Sequence, residues 1–200
     1  MPAGAARVNR ALDVAIAGTG LVLTSPLLGL AALAIKLEDG GPVLYRQTRV
    51  GKDGVDFEIL KLRSMVVGAE RTGAGLAVNV GDARITRVGR LIRRTSIDEL
   101  PQLWNVVRGQ MSVIGPRPTV RAQVDRYTPH QRRRLEVRPG LTGWAQVHGR
   151  AALPWAERIE LDVWYVDHRS ASVDLRILLR TPLALFGGIY KGSTGGWSGS

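Results

Sequence analysis

The chain is 200 residues long with no cysteine, three histidines, and 28 Lys plus Arg against 17 Asp plus Glu, for a net charge of +11. Without cysteine there are no disulfides, no thiolate catalysis and no thiolate-bound zinc or iron–sulfur centres, and the scattered His130, His148 and His168 argue against a histidine-rich metal site. The basic surplus predicts anionic partners, whether nucleic acid, anionic lipid or phosphorylated small molecules. Aromatic residues make up only 6% of the chain, which leaves few stacking platforms for single-stranded nucleic acid. The length predicts one domain with a real core.

Val14 to Ile35 carries no charge; as a helix it would reach about 33 Å, about one hydrocarbon thickness. Arg7 and Arg10 precede it, but the run is long for a signal peptide, and Ala32-Leu33-Ala34 is followed by Ile35 and Lys36, a poor processing context. A buried core helix of a small soluble domain is the blander reading, and an apolar run this long fits it poorly. A plain transmembrane helix is the serious rival. Against it, Ser25-Pro26 falls in the middle, where proline kinks a helix. Basic residues also stand on both sides, Arg7 and Arg10 before, and Lys36, Arg46, Arg49 and Lys52 after, so both ends prefer the same face. The pattern predicts a re-entrant helix-break-helix that dips into one leaflet, its freed carbonyls met by Thr24, Ser25 or protein packing.

After the Asp39-Gly40-Gly41-Pro42 breaker, Val43 to Val50 and Val55 to Leu62 read as two strands around Gly51-Lys52-Asp53-Gly54, a tight hairpin. Arg46 and Arg49 lie on one arm, Lys61 and Arg63 at the end of the other; they either hold a phosphate or face solvent. Residues 68–81 predict a short helix and then a loop. Arg84, Arg87, Arg90 and Arg93, interleaved with Ile85, Val88, Leu91 and Ile92, predict a helix with a broad cationic flank.

Thr95 to Trp104 (TSIDELPQLW) holds the adjacent carboxylates Asp98 and Glu99. Ser96 and Glu99 have capping-box spacing; alternatively Asp98 is the N-cap, with Pro101 at N3 of a helix running to about Val107. Either frame puts the pair at the positive end of a helix dipole, which suits an ordinary cap, a nucleophile or a metal ligand. Ile114-Gly115-Pro116-Arg117-Pro118 forces extended backbone around one arginine, which either grips an anion or pairs with the acidic residues.

Thr119 to Tyr127 predicts a helix. Gln131-Arg132-Arg133-Arg134 is the densest basic run and fits adhesion to an anionic membrane surface. Pro139 to Trp144 reads as a turn and Trp144 to Val147 as a short strand. A helix covers Trp155 to His168, with Glu157, Asp162, Trp164, Tyr165 and Asp167 as contact candidates or as solvated positions. Val173 to Phe186 is amphipathic, broken by Thr181-Pro182, and lies either in the interface plane or in ordinary packing. The tail from Gly192 reads as flexible.

Together these pieces resemble the bacterial sugar transferase family of monotopic phosphoglycosyl transferases. The resemblance runs from about Arg10 to Ile189 through the Ser25-Pro26 break, GPVLYRQTRVG at 41–51, KLRSM at 61–65, DARITRVGRLIRRTSIDELPQLWNVVRGQMSVIGPRP at 82–118, PGLTGWAQVHGR at 139–150 and DVWYVDHRS at 162–170. It implies a mixed α/β (α+β) monotopic membrane protein: an N-terminal re-entrant helix-break-helix over 10–38, a cytoplasmic catalytic portion over 39–190 with a small β-hairpin and helices around an interfacial active site, and a tail over 191–200. The implied reaction moves a sugar 1-phosphate from a UDP-sugar to polyprenyl (undecaprenyl) phosphate, releasing UMP, as the initiating step of exopolysaccharide, O-antigen or glycoprotein glycan synthesis. By the same resemblance Asp98 is the nucleophile of a covalent phosphosugar intermediate and Glu99 ligates Mg2+. Arg117 would hold a phosphate, with Lys61, Arg63, Arg84, Arg93 and Arg94 as further phosphate-binding residues. Ser25 and Pro26 would form the membrane break. The implied location is the bacterial inner membrane with the catalytic portion facing the cytoplasm, on anionic lipid, without nucleic acid, and with a homodimer allowed by the basic, partly apolar surface. Leu62 in KLRSM, Gln110 in GQMS and His148 in GWAQVHG depart from the common pattern, which weakens any transfer of sugar specificity. A basic nucleic acid-binding protein and a non-catalytic membrane scaffold are the alternatives; the uncharged N-terminal run speaks against the first.

Overall fold

The computed structural model describes residues 3–72, 78, 81–149 and 153–186, with side chains described from residue 10 to residue 184. Most of the loop expected within 68–81, and the tail, lie outside the described residues.

The first element, α1 (Ala3–Asp39), is a single helix. Its backbone stays helical through Ser25-Pro26, so the interruption expected there is not an unwound segment. Proline at 26 has no N–H for the Val22 carbonyl. The Ser25 hydroxyl donates to that carbonyl instead, at 2.8 Å, and Thr24 donates to the Gly20 carbonyl at 2.6 Å. Of the residues expected to satisfy freed carbonyls, Ser25 does so, inside the helix, while Thr24 bonds to a carbonyl that Pro26 does not free.

Polar contacts tie α1 at both ends to one globular body. Near its start, Arg10 donates to the carbonyls of Val106 (2.6 Å) and Val107 (2.7 Å), and Asp13 accepts from the Ser112 hydroxyl and the Val113 N–H. At its end Glu38 accepts from the N–H groups of Arg87 and Val88, while Asp39 pairs with Arg63. Between these ties Ala17, Ala31 and Ile35 are buried against the body, and Val22, Leu23, Leu30 and Leu33 are exposed. An apolar helix anchored twice and bare along one side is half a packing interface.

β1 (Leu44–Val50) and β2 (Asp56–Leu62) form the expected antiparallel hairpin, in register from Leu44 opposite Leu62 to Val50 opposite Asp56. Its turn needs left-handed backbone at Asp53 (φ 56°) and Gly54 (φ 79°), the chemistry that Asx-Gly supplies. Phe57 and Ile59 point into the main core with Ala17, Leu103, Val106 and Met111. The arginine-rich segment becomes α2 (Arg87–Arg94), capped by the Thr86 hydroxyl accepting from the Gly89 N–H. Gly89 is there because α2 lies on the chain leaving β2: a Cβ would sit 1.9 Å from the Ser64 carbonyl oxygen.

α3 (Gln102–Val107) follows, then β3 (Ser112–Ile114), α4 (Arg121–Val124), α5 (Pro129–Arg132) and β4 (Gly140–Thr142). β3 and β4 pair in parallel, Ser112 with Gly140 and Ile114 with Thr142. The helix expected over Thr119–Tyr127 shrinks to the four residues of α4, since Thr119 bridges to Val50 as extended chain. Residues Trp144–Val147 form a helical turn, α6, rather than a strand. The strand lies just upstream, where Gly140 passes so close to Gly115 that a Cβ would be 2.1 Å from its nitrogen. α7 (Trp155–His168) has the expected bounds, and α8 (Ala171–Phe186) continues through Pro182. The break expected there is absent: the Thr181 hydroxyl donates to the Ile177 carbonyl at 2.7 Å, beside the Leu178 carbonyl that proline leaves without its donor.

Candidate active site

The acidic pair does not cap a helix. Ser96 adopts left-handed backbone (φ 57°) with no side-chain cap, Ile97–Glu99 is one 3-10 turn, and Pro101 is the N-cap of α3. Both capping frames read from the sequence are therefore corrected. The turn at Ile97–Glu99 closes with the Glu99 and Leu100 N–H groups on the Ser96 and Ile97 carbonyls, and Pro101 has no N–H to carry that ladder on, so α3 starts after it. The tight turn sends the two neighbouring carboxylates into different surroundings.

Glu99 is the paired one. Lys61 on β2 approaches its Oε1 at 2.9 Å, and both terminal nitrogens of Arg117 fork onto its two oxygens. Burial would raise the Glu99 carboxyl, but Arg117 and Lys61 outweigh it and hold the group well below the usual carboxylate range. Lys61 is placed from both sides. Asn105 on α3, 1% exposed, accepts from the Leu60 N–H and donates to the Glu58 carbonyl, fastening α3 to the edge of β2. Arg117 is placed by a buried strut: Arg134, 3% exposed, donates to the Arg117 carbonyl at 2.9 Å and to Asp162 at 2.5 Å.

Asp98 is the unpaired one. It is 6% exposed, and its Oδ1 is buried without a hydrogen-bond partner among the described residues. Burial, then the charge of Glu99, push its carboxyl up to about 6; the positive charges of Lys61, Arg93 and Arg117 pull the other way without prevailing. Buried polar atoms in folded proteins are nearly always satisfied, so an orphaned carboxylate oxygen makes Asp98 a candidate for binding or reaction. In this position an ionised aspartate has little competing hydration and faces a cluster of cations, which suits attack on an electrophilic phosphorus.

Of the residues singled out in the sequence, the structure brings together Asp98, Glu99, Lys61 and Arg117. Arg93 adds its charge on Asp98 and donates to the Ser64 hydroxyl at 3.3 Å. It does not bring Arg63 or Arg84 there. Arg63 is buried on Asp39 and the Pro42 carbonyl, and Arg84 holds Asp82 and the Ala69 and Thr72 carbonyls. Arg94 is exposed at the end of α2. Two contributors were not singled out as site residues, Asn105 and Arg134, while Arg49, read as either a phosphate holder or a solvent-facing cation, feels the charges of both Arg117 and Glu99. Alternation along β1 puts Arg49 on the face of the hairpin that carries Lys61.

Among the described residues no group of three or more His, Cys, Asp or Glu is gathered as for a metal ion. A cavity of about 290 Å³ lies elsewhere, lined by Arg10, Asp13, Tyr165, Arg169 and Asp174 among others, and contains none of the acidic pair. What marks the Asp98 site is its charge arrangement rather than enclosure.

A family model described as bacterial sugar transferase matches residues 4–188. The chain is 44% identical over 174 residues to the uncharacterized sugar transferase EpsL of Bacillus subtilis, covering 87% of this chain and 85% of that one. It is 50% identical over 181 residues to a UDP-glucose:undecaprenyl-phosphate glucose-1-phosphate transferase of Caulobacter vibrioides, covering 86% of this chain and 67% of that protein. To a UDP-N-acetylgalactosamine-undecaprenyl-phosphate N-acetylgalactosaminephosphotransferase of Aeromonas hydrophila it is 46% identical, covering 87% of this chain but only 42% of the relative.

Proposed function

The chain belongs to the bacterial sugar transferase family, and from that premise we propose that it transfers a sugar 1-phosphate from a UDP-sugar to polyprenyl phosphate through Asp98. The observation that carries the reading is the orphaned, buried Asp98 oxygen beside a Glu99 already neutralised by Lys61 and Arg117. In the first half-reaction an Asp98 oxygen attacks the β-phosphorus of the donor, the bond from that phosphorus to the bridging oxygen breaks, and UMP leaves. In the second, an oxygen of polyprenyl phosphate attacks the same phosphorus and the Asp98 carboxylate departs, leaving polyprenyl diphosphate sugar. Lys61, Arg93 and Arg117 lower the cost of bringing an anionic nucleophile to a diphosphate.

The donor set fits Mg2+. This ion is commonly held by one or two carboxylates together with substrate phosphate oxygens, and here Asp98 Oδ1 is without a partner while Glu99 adjoins it. Glu99 would hold it, and when bound it supplies charge neutralisation at the diphosphate.

We also propose that α1 is re-entrant, with both ends and the catalytic portion on the cytoplasmic face of the inner membrane. Its support is mechanical: Arg10 and Asp13 at one end, and Glu38 and Asp39 at the other, all bond to the same body. A helix crossing the bilayer would have its ends on opposite faces. The exposed leucines of α1 then meet lipid, and Ser25 keeps the carbonyl freed by Pro26 satisfied inside hydrocarbon. Because the chain has no cysteine, single cysteines at positions 3 and 55 can be labelled with an impermeant reagent in oriented membranes. Same-side labelling is expected; opposite-side labelling overturns the topology.

The experiment for the reaction is incubation of purified protein with polyprenyl phosphate, Mg2+ and a panel of UDP-sugars, scoring UMP. Release with at least one donor, abolished by Asp98→Asn, supports the assignment. No release with any donor from folded protein rejects it.

A further inference from the structure

Tyr45, Gln47 and Arg49 occupy one face of β1, the face Lys61 shares from across the ladder, where Tyr45 stands opposite Lys61 and Arg49 opposite Phe57. The three side chains are joined. Arg49 donates a terminal N–H to the Gln47 carbonyl oxygen, the Gln47 amide donates to Glu70 at 2.8 Å, and the Tyr45 hydroxyl donates to the same Glu70 oxygen. Arg49 has no carboxylate within ion-pair distance among the described residues, and its Nε–H is buried without an acceptor. The nearby charges that act on it include Arg117, a second cation, and the already paired Glu99. A half-buried guanidinium with an idle donor, close to another arginine and lacking an anion of its own, is half of an oxyanion site.

We propose that Arg49 binds a phosphate oxygen in the phosphoryl-transfer site and that Glu70, acting through Gln47, aims it. The proposal rests on the transferase reading above. An ionised carboxylate only accepts hydrogen bonds, so Glu70 draws the NH2 end of the Gln47 amide and turns the amide oxygen toward Arg49. That oxygen occupies one terminal nitrogen and fixes the plane of the fork, leaving Nε–H as a directed donor. Arginine meets phosphate best through such a planar pair of donors. Arg49 is therefore a binding residue, and Gln47 and Glu70 are positioning residues. The phosphate belongs either to the donor diphosphate or to the acceptor monophosphate, which share this chemistry.

The test is steady-state UMP release on purified protein in lipid nanodiscs, with each substrate varied in turn, alongside calorimetric titration with UDP. Arg49→Gln should raise the KM of one phosphate substrate about tenfold or more, and Arg49→Lys, which keeps charge but loses the fork, should recover part of it. Glu70→Gln should raise the same KM about two- to fivefold, and the Glu70→Gln, Arg49→Gln pair should be no worse than Arg49→Gln alone. Arg46→Ala, on the opposite face of β1, should change neither KM. A rise for the UDP-sugar with weaker UDP binding assigns the donor; a rise confined to polyprenyl phosphate assigns the acceptor. Both KM values within twofold of wild type for Arg49→Gln and Arg49→Lys, with only the thermal midpoint lowered, overturn the binding role. Additive effects in the double variant overturn the aiming role. A wild-type protein that binds UDP yet releases no UMP rejects the transferase reading instead, and UDP titration of the Arg49 variants still reads this site.

Discussion

Asp98 and Asp162 are buried to nearly the same degree, at 6% and 2% exposure, yet their surroundings give them opposite uses. Asp162 receives Arg134 at 2.5 Å, and Arg134 in turn holds the Arg117 carbonyl. That pair is closed, and it works as a strut under the arginine loop. Asp98 has cations nearby, but among the described residues none bonds to it and one of its oxygens is idle. A buried charge with a dedicated partner stabilises a geometry; a buried charge without one is costly unless a ligand completes it. The difference lies in the third neighbour. Glu99, next to Asp98 in the chain, takes Lys61 and Arg117 for itself.

The sharpest way to break this comparison is to remove each charge in turn. Asp98→Asn should lower UMP release by at least about a thousandfold, as loss of a nucleophile does, while the protein stays folded. Asp162→Asn should leave Arg134 buried and unpaired, at a cost of about 3–5 kcal/mol in stability, read from denaturant unfolding in detergent. Activity per folded molecule should suffer far less than in Asp98→Asn. If the two variants behave alike, the distinction between strut and reactive group fails.

Activity against pH separates them next: burial raises both carboxyls to about 6, but only Asp98 has to lose its proton to react. Asp98 must be ionised to attack, and burial with the Glu99 charge sets its carboxyl at about 6. The UMP-releasing half-reaction should thus fall about tenfold per pH unit below about 6. The linked stability effect has the opposite sense to that of an ordinary ion pair. A carboxyl raised on folding binds its proton more tightly in the folded state, so stability falls as pH rises from about 4 through 6. Asp98→Asn removes that ionisation and should be more stable than wild type at pH 7.5, by on the order of 2–3 kcal/mol. The advantage should shrink as the pH is lowered toward 4. A wild-type stability curve identical in shape to that of Asp98→Asn would contradict the placement of the charge.

The smallest expected effect concerns α1. Ser25→Ala frees the Val22 carbonyl that Pro26 cannot serve, at a cost of about 1 kcal/mol. It should be visible as a lower thermal midpoint in lipid and little change in UMP release.

How far the chain could be read in advance followed the range of the forces. The hairpin declared itself through glycine-bounded strands, a local signal, and α7 has the bounds read from the sequence. The bulk apolarity of α1 was equally plain, but the outcome at Pro26 and Pro182 was not. The Ser25 hydroxyl meets the carbonyl that Pro26 frees, and α8 runs on through Pro182 with Thr181 on the Ile177 carbonyl, arrangements that composition does not reveal. Ser96 and Glu99 have capping-box spacing, yet Pro101 moved the helix start past both. The dyad could be located in the sequence, whereas its division of labour could not. That division depends on Lys61, 38 positions from Glu99, and Arg117, 18 positions away. Arg63, two residues beyond Lys61, shows the same limit: β2 ends at Leu62, and the Asp39 carboxylate and Pro42 carbonyl hold Arg63 at the end of α1, which its basic character alone gave no way to know.

The account turns on whether Asp98 becomes covalently loaded, and intact-mass analysis of protein quenched after mixing with a UDP-sugar and Mg2+, without acceptor, asks this directly. A mass gain equal to one phosphosugar, present in wild type, absent in Asp98→Asn and discharged by polyprenyl phosphate, is the predicted result. A preparation that turns over yet shows no adduct, with kinetics requiring both substrates bound together, would contradict it.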